Sequence, residues 1–304
     1  MHKAVLANLR RSGPGVSVAR LISGRRCSIL AGFSRESAGP RWIAKSSGDA
    51  IGIASVRKEY EALAYLASWA EPLGIPRIID WEDTGGEVCL IVTGAAGSAA
   101  ATPLRVDRRS PVPGYFNRAA EWLARFQQLV PARTSVSLAT LSRAVADELQ
   151  TQPGYGALLD GILGMLRNPG AAGDHAAPPI HGDFWATNVL LSDRQINVID
   201  WDYFGPGFPF EDLFSFVIYQ QYVMPNRYCT LPESYLHCIF SDSPVCQFVK
   251  RHFATLFSPD QARLYFYGFL GRRICRETTA AEQWRTLLER LAAAKYPAPC
   301  TPIS

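Results

Sequence analysis

A cluster of polar side chains in the later part of the chain constrains the fold of this sequence more than any other feature. His181 and Asp183 are followed by Asn188, and Asp200 and Asp202 complete the set within 22 positions. A single Asp or Asn is usually a turn or capping residue. Five such side chains in close order are a stronger signal, and they require a fold that brings them to one place.

The segment between Asn188 and Asp200 predicts how these side chains meet. The stretches 189–191 and 196–199 are short apolar runs on either side of a polar stretch, a pattern typical of two strands joined by a turn. We expect Asn188 to lie opposite Asp200, with the turn centred on Arg194 and about three residues long. Both side chains would then lie at the open end of the hairpin.

These residue types suit a magnesium site beside a proton acceptor. Mg²⁺ prefers hard oxygen ligands and takes one or two protein groups together with water and phosphate oxygens, so we predict Asn188 and Asp200 as its ligands. Asp183 is placed to orient an attacking hydroxyl and accept its proton. We expect His181 to hold this loop by hydrogen bonding and not to act as the base. Asp202 fits either a second metal contact or a solvated turn.

The segments 181–191 and 199–213 resemble the motif of the aminoglycoside phosphotransferase and choline kinase superfamily, the small-molecule branch of the protein-kinase-like fold. The second segment is IDWDYFGPGFPFEDL, and the family pattern is IDW, a turn with Gly, a Pro, and Asp-Leu at the start of a helix. The resemblance implies that Asp183 is the catalytic Asp, that Asn188 and Asp200 bind Mg²⁺, and that Asp212 is a structural acid. Asp212 also fits a charge at a helix N-terminus.

The resemblance further implies an α+β, two-lobed protein-kinase-like fold. Residues 1–93 would form a small antiparallel-sheet lobe with one helix that binds the nucleotide, and residues 94–304 a larger, mostly helical lobe with the catalytic and acceptor-binding residues. Apolar periodicity in the second lobe predicts helices at 116–130, 138–151, 157–168, 210–223, 232–240, 244–257, 259–277 and 280–294.

A kinase-like site needs a lysine on a strand and a glutamate on the next helix, and the chain offers both. The stretch 41–45 is strand-like and ends in Lys45, and residues 56–66 form an uninterrupted helical pattern. Glu59 shares a face of that helix with apolar residues, where a carboxylate is costly without a partner. We predict a Lys45–Glu59 pair that directs the ammonium group at ATP phosphates. A surface ion pair is the alternative for both residues.

The nucleotide loop departs from the Gly-rich pattern of protein kinases. Residues 31–40 join two strand-like runs and contain only two glycines, Gly32 and Gly39. We predict that Ser34 and Ser37 contact phosphate there, with a simple hairpin turn as the alternative. Further along, an apolar strand runs into small residues after Thr93, which is typical of a hinge. The backbone from Ile91 to Thr93 would hydrogen-bond adenine, or the segment is an ordinary loop.

Composition excludes several other classes of protein. A chain of 304 residues with 48% hydrophobic content can bury one or two cores. The net charge of +4 is too small and too scattered to indicate nucleic-acid binding, and no apolar run in the sequence is long enough for a membrane span. Seven cysteines without a C-x-x-C motif indicate reduced thiols in the cytoplasm. The basic N-terminus resembles a presequence, but residues 16–30 already have the pattern of strands, which favours a folded lobe.

The acceptor is the part of the function that the sequence defines least. The region after residue 213 has more basic than acidic residues and many tyrosines, which favours a neutral or anionic hydroxyl acceptor such as a sugar or glycoside. Arg272, Arg273 and Arg276 are the best candidates for an anion-binding cluster. Aromatic residues after Asp212 could instead surround a quaternary ammonium group such as that of choline, or simply pack in the core.

Together these features predict an enzyme that uses ATP and Mg²⁺ to phosphorylate a hydroxyl of a small molecule: a sugar, glycoside, amino sugar or amino alcohol. One rival is a catalytically silent pseudokinase that binds nucleotide as a scaffold, and another is a choline or ethanolamine kinase. A protein-directed kinase is disfavoured, because only eleven residues separate Asp200 from Asp212. The sequence leaves the oligomeric state undefined.

Overall fold

The computed structural model of the protein describes residues 16–23, 27–35, 39–100, 114–193, 195–223, 230, 232–233, 236, 247–248, 251, 259–277 and 280–294. Contacts divide the chain into two compact units. The first comprises the described residues among Met1–Ala100, Gln128–Val130 and His181–Gly205, and the second comprises those among Ala101–Gln127, Pro131–Ile180 and Pro206–Ser304. The predicted boundary at residue 93 divides the chain once, whereas the contacts group the segment after His181 with the N-terminal residues.

The first unit is built on an antiparallel sheet of five strands in the order β1-β2-β3-β5-β4. Its strands are β1 (Val16–Ser23), β2 (Ser28–Ser34), β3 (Pro40–Ser47), β4 (Ile78–Asp83) and β5 (Val88–Thr93). Lys45 on β3 pairs with Ile29 on β2 and with Leu90 on β5. Side chains of paired residues lie on the same face of a sheet, so the register fixes the face on which Lys45 projects.

One long helix, α1 (Ala50–Leu66), packs against β3 and β5. It begins at Asp49, whose side chain accepts hydrogen bonds from the backbone N–H groups of Ile51 (2.9 Å) and Gly52 (3.0 Å), as an N-cap does. Its buried side chains lie at three- and four-residue spacing and include a single carboxylate, Glu59. The predicted face is therefore the buried face.

The chain leaves α1 through a 3₁₀ turn (Ala67–Trp69) and the short helix α2 (Ala70–Leu73). Gly74 ends α2 in the left-handed conformation, with φ of +64°. A Cβ atom at this position would lie 2.3 Å from the carbonyl oxygen of Ile196. Gly74 is therefore required both by its backbone angle and by the close approach of the strand that contains Ile196.

A second, three-stranded sheet carries the predicted hairpin. Its strands are β6 (Ser98–Ala99), β8 (Val189–Leu191) and β9 (Ile196–Val198), in the order β6-β8-β9. The predicted register is wrong by one residue: Val189 pairs with Val198, and the N–H of Ile199 donates to the carbonyl of Asn188 at 3.0 Å. The cause is a four-residue turn from Ser192 to Gln195, closed by a backbone hydrogen bond and by the Ser192 hydroxyl.

The second unit is mostly helical. The elements that lie wholly or partly in it are α3 (Gly114–Leu129), α4 (Leu138–Gln150), α5 (Asp160–Arg167), β7 (Pro179–Ile180), β10 (Gly205–Pro206), α6 (Glu211–Val223), α7 (Pro259–Arg276) and α8 (Ala281–Ala294). Four predicted helices match observed ones to within a residue or two: 138–151 is α4, 210–223 is α6, 259–277 is α7 and 280–294 is α8. Helix α5 is shorter than the predicted 157–168, because a 3₁₀ turn (Gly156–Leu158) precedes it. The helices predicted at 232–240 and 244–257 lie mostly outside the described residues.

The apolar stripe predicted for α3 lies in the core of the second unit. Phe116, Ala119, Leu123 and Phe126 are all buried there, and Phe116 packs edge-on against Phe216 of α6 with ring centroids 5.1 Å apart. Among the described residues, no helix is both long enough and apolar enough to cross a bilayer.

Candidate active site

An ion pair between β3 and α1 forms the centre of the site. The Nζ of Lys45 lies 2.8 Å from Oε1 and 2.6 Å from Oε2 of Glu59. The side chains are only 14% and 5% exposed, so water screens the two charges poorly. Burial acts against the charged form of Lys45, but the carboxylates of Glu59 and Asp200 outweigh it and raise its pKa. Burial raises the pKa of Glu59.

Asp200 shares the same ammonium group. Its Oδ1 lies 2.6 Å from Nζ of Lys45, and the Asp200 side chain is 44% exposed. Burial opposes ionisation, but the positive charge of Lys45 lowers the pKa of Asp200 and keeps it a carboxylate. The residue has φ of +71°, a left-handed conformation in which Asp is enriched over most non-glycine residues. This backbone conformation directs Asp200 toward Lys45 directly after the hairpin.

His181 is buried next to the segment that contains Asp200 and Trp201. It is 0% exposed, and its ring lies edge-on to Trp201 with centroids 4.5 Å apart. The N–H of Asp183 donates to Nδ1 at 3.2 Å, so Nε2 carries the proton and donates to the carbonyl of Ile199 at 3.0 Å. Burial lowers the pKa of His181 to about 4. The ring is therefore neutral at pH 7, and both of its nitrogens are used to join the Asp183 loop to the end of the hairpin.

Asn188 and Asp183 are held together at the start of the hairpin. The amide Nδ2 of Asn188 donates to the backbone carbonyl of Asp183 at 3.0 Å and to its Oδ2 at 3.1 Å. The Oδ1 of Asn188 accepts from the hydroxyl of Thr187 at 3.5 Å. A carboxamide oxygen at Asn188 and a carboxylate at Asp200 are hard ligands that fit Mg²⁺ with water and phosphate oxygens completing its shell.

Asp202 has a partner that the sequence did not suggest. The hydroxyl of Ser55 on α1 donates to its Oδ2 at 2.8 Å. Burial and the nearby charge of Asp200 raise the pKa of Asp202 to about 7. Asp202 is therefore not a fully solvated turn residue, since it is half-buried and bound to a helix. Ser55 carries no sequence signal beyond its position one turn before Glu59.

The structure does not bring Ser34 to Lys45. Ile29 is the β2 residue that pairs with Lys45, and Ser34 lies five positions further along β2, where it pairs with Val16. At 3.2–3.4 Å per residue, this places Ser34 about 16 Å along the strand from Ile29. The stretch 31–40 was interpreted as one loop, but residues up to Ser34 belong to β2 and residues from Pro40 belong to β3. Ser37 lies outside the described residues.

The backbone near Ile91 and Thr93 is largely used by the sheet. Ile91 pairs with Ala44 on one side and with Asp80 on the other, and the N–H of Thr93 donates to the carbonyl of Arg77 at 2.8 Å. The N–H of Gly94 donates to Arg41 at 2.9 Å. The N–H groups of Thr93 and Gly94 therefore already have acceptors within the protein and are not available to a ligand.

The arginines predicted to bind an anion contact protein groups in the second unit. Arg272 forms an ion pair with the buried carboxylate of Glu211 (Nε–Oε1, 2.9 Å) and donates to the carbonyl of Pro206 at 3.2 Å. Arg273 donates to the hydroxyl of Ser215 at 2.6 Å, and Arg276 lies 4.0 Å from Glu211. These charges hold α7 to the start of α6, where Asp212 is also buried.

Three features of the site are those of a protein-kinase-like enzyme. They are a sheet lysine paired with a helix glutamate, a loop with Asp183 and Asn188, and a hairpin followed by Asp200. The model of the phosphotransferase enzyme family (APH) matches residues 32–228, and the chain belongs to this family. It is therefore grouped with the small-molecule phosphotransferases. A search of curated protein sequences found no match.

Solved structures of the same fold span almost the whole chain. Choline kinase from Cryptosporidium parvum Iowa II superposes with a TM-score of 0.58 at 15% identity, covering 96% of this chain and 95% of that one. Macrolide 2′-phosphotransferase MphH from Brachybacterium faecium gives 0.55 at 18% identity and covers 96% of both chains. Aminoglycoside phosphotransferase APH(3″)-Id from Streptomyces rimosus gives 0.52 at 16% identity, covering 88% of this chain and 96% of that one. At these identities the likeness supports the fold.

Proposed function

We propose that the protein transfers the γ-phosphoryl group of ATP to a hydroxyl of a small molecule in a Mg²⁺-dependent reaction. The observation that carries this proposal is the position of Lys45, whose Nζ lies 2.6 Å from both Glu59 Oε2 and Asp200 Oδ1. Kinases need the strand lysine paired with its helix glutamate and a metal-binding Asp in place at the same time. Here one ammonium group contacts both carboxylates.

Each residue of the site has a distinct role in this reaction. Lys45 supplies positive charge for the ATP phosphates, and Glu59 fixes the direction of that charge. Asn188 and Asp200 would hold Mg²⁺, which when bound neutralises phosphate charge. Asp183 orients the acceptor hydroxyl and takes its proton, as the hydroxyl oxygen bonds to the γ-phosphorus and the bond to the ADP oxygen breaks. His181 stays neutral and positions Asp183 through the backbone.

We assign nucleotide binding to the sheet and helix of residues 1–93 together with the hairpin end, and acceptor binding to residues 94–304. Because the N–H groups of Thr93 and Gly94 are used within the sheet, we place the first adenine contact of the backbone at Ala95, two residues beyond the predicted hinge. From the cysteine content of the sequence we propose a location in the reducing cytoplasm.

The acceptor class is proposed from the acceptors named for proteins of the same fold and from the contacts of the arginines in this chain. The structure of APH(3″)-Id from Streptomyces rimosus was solved with ADP and streptomycin, and other proteins of the same fold are choline and fructosamine kinases by name. All of these acceptors carry hydroxyl groups. Because Arg272 and Arg273 are bound to protein groups, they do not favour an anionic acceptor. Sugars, glycosides, amino sugars and amino alcohols remain the proposed range.

Transfer of labelled phosphate from Mg-ATP into pooled sugars, glycosides, aminoglycosides, choline and amino alcohols tests the proposal. We expect acceptor-dependent transfer that is lost in Asp183→Asn and kept in Asp193→Asn, a matched change at an exposed position in the hairpin turn. Binding of Mg-ATP without transfer to any pool would favour the scaffold alternative. Absence of nucleotide binding would contradict both.

A further inference from the structure

We propose that Ser55 is a positioning residue that joins α1 to residues 200–204, which we call the Asp200 loop. This inference rests on the proposed function and adds a control point to the same site. The hydroxyl of Ser55 donates to Oδ2 of Asp202 at 2.8 Å. This bond joins the helix that contains Glu59 to the loop that contains Asp200, and both of these carboxylates contact Lys45.

The helix and the loop contact each other at several positions within the first unit. Ser55 binds Asp202, and the backbone N–H of Trp201 donates to the Glu59 carboxylate. Near the end of α1, the ring of Tyr65 lies 5.8 Å from that of Phe204. Of these contacts, only the one made by Ser55 lies outside both the ion pair and the aromatic core. It can therefore be removed without removing a residue that binds Lys45.

The Ser55 hydroxyl also supplies a hydrogen-bond donor to the side chain of Asp202. Asp202 is half-buried, and a carboxylate that loses water requires a donor in its place. Among the described residues, Ser55 is its hydrogen-bond donor. Without Ser55, the carboxylate of Asp202 gains by turning toward solvent, and the Asp200 loop loses one of its contacts with α1.

The effect of Ser55 can be separated from helix stability. Alanine has a higher helix propensity than serine, so Ser55→Ala should strengthen α1 as an isolated helix. A purely local role therefore predicts equal or slower amide exchange in α1. The positioning role predicts faster exchange in two segments at once, residues 56–66 of α1 and residues 201–204 of the loop.

The first experiment is amide hydrogen exchange on the ligand-free protein, comparing Ser55→Ala with Lys58→Ala, a change at an exposed position on the same helix. We expect Ser55→Ala to accelerate exchange in both segments by about tenfold, the size expected when a partly buried acceptor loses its hydrogen-bond donor. Ser55→Thr keeps the hydroxyl and should exchange like the wild type. Equal exchange in Ser55→Ala and Lys58→Ala at either segment would overturn the proposal.

The second experiment measures turnover of Mg-ATP with water as acceptor, which requires no knowledge of the substrate. We expect Ser55→Ala to lower kcat about tenfold with a smaller change in KM for ATP, and Ser55→Thr to restore it. A wild-type kcat in Ser55→Ala would also overturn the proposal. If the wild-type protein turns over no ATP, the proposed function is in doubt, and the exchange experiment still decides the role of Ser55.

Discussion

The Nζ of Lys45 and the Oε2 of Glu59 lie 2.6 Å apart in the first unit, and this ion pair joins β3 to α1. The two residues are fourteen positions apart in sequence, and Glu59 is the single carboxylate on the buried face of α1. Because Asp200 approaches the same ammonium group, the pair also ties the end of the hairpin to the sheet. A change in any of the three charges leaves a buried partner unbalanced.

Removal of one member of the pair should reduce both activity and stability. We expect Lys45→Met and Glu59→Gln each to lower kcat/KM by about 100-fold or more, since an aligned charge beside the phosphates is lost. Unfolding in urea should show a loss of about 3–5 kcal/mol, the usual result of leaving one partner of a buried pair uncompensated.

Arg57→Ala is the matched control for this pair. Arg57 lies on the same helix and forms an ion pair with Asp83 at 2.7 Å, but its side chain is 42% exposed. We expect little change in either the urea midpoint or turnover. Full activity in Lys45→Met would contradict the assigned role.

Asp183→Asn should remove turnover and spare nucleotide binding. The asparagine still offers an oxygen to Nδ2 of Asn188, so the loop keeps its shape, but it cannot take a proton. We expect kcat to fall by about 100- to 10,000-fold, with the Kd for Mg-ATP within twofold of the wild type by calorimetry. An Asp183→Asn variant with normal kcat would show that another group accepts the proton.

Asp200→Asn should raise the concentration of Mg²⁺ that half-saturates turnover. Asparagine tolerates the left-handed backbone at φ of +71°, so the variant tests the charge without adding backbone strain. Asp200→Ala adds a strain of about 1–2 kcal/mol, which should appear as a further loss of stability. Turnover with an unchanged magnesium requirement in Asp200→Asn would remove Asp200 from the metal site.

His181 should make the protein less stable in acid. Its pKa is lowered from 6.5 to about 4 in the folded protein, so between these values the unfolded chain binds a proton that the native state does not. Stability contributed by the neutral ring is fully present above pH 6.5 and falls as the pH drops toward 4, by about 2.5 kcal/mol at pH 4.5.

Other groups titrate in the same range, so the quantity to compare is a difference between variants. The loss of stability from pH 7.5 to pH 4.5 should be smaller in His181→Gln than in the wild type. His175→Gln, a change at an exposed position, is the control for the loss of a histidine elsewhere in the chain. An NMR titration of His181 with a pKa near 6.5 would contradict the expectation directly.

Ser34→Ala should leave nucleotide affinity unchanged. Ser34 pairs with Val16, at the end of β2 away from Ile29 and Lys45, so its hydroxyl is too distant to contact the phosphates beside Lys45. We expect the Kd for Mg-ATP and the thermal midpoint to match those of the wild type. A tenfold loss of affinity would show that the nucleotide extends along β2.

Local pattern predicted most of the described helices and strands well. The stripe around Glu59 predicted the buried face of α1, and the apolar runs beside residues 192–195 predicted the hairpin. The register of that hairpin could not be predicted, because Ser192 closes the turn with hydrogen bonds that leave no Gly or Pro signal. The position of Ser34 was missed for a related reason, since strand propensity does not mark where β2 ends.

Contacts between distant segments had no local signature at all. Ser55 and Asp202 are 147 positions apart, and neither residue type at its position indicates a partner. The arginines of α7 were interpreted as a possible anion site because their charge is visible in the sequence. The buried carboxylate of Glu211 reaches Arg272 only through the packing of α6 against α7.

Gly74 has a consequence for the behaviour of the protein in concentrated solution. β9 is the last strand of its sheet, and such a strand can pair with a strand of another molecule and begin aggregation. The carbonyl of Gly74 accepts the N–H of Val198 at 3.1 Å, and only a residue without a Cβ can approach Ile196 so closely. The end of α2 thus covers this strand, and any larger residue at position 74 would expose it to intermolecular pairing.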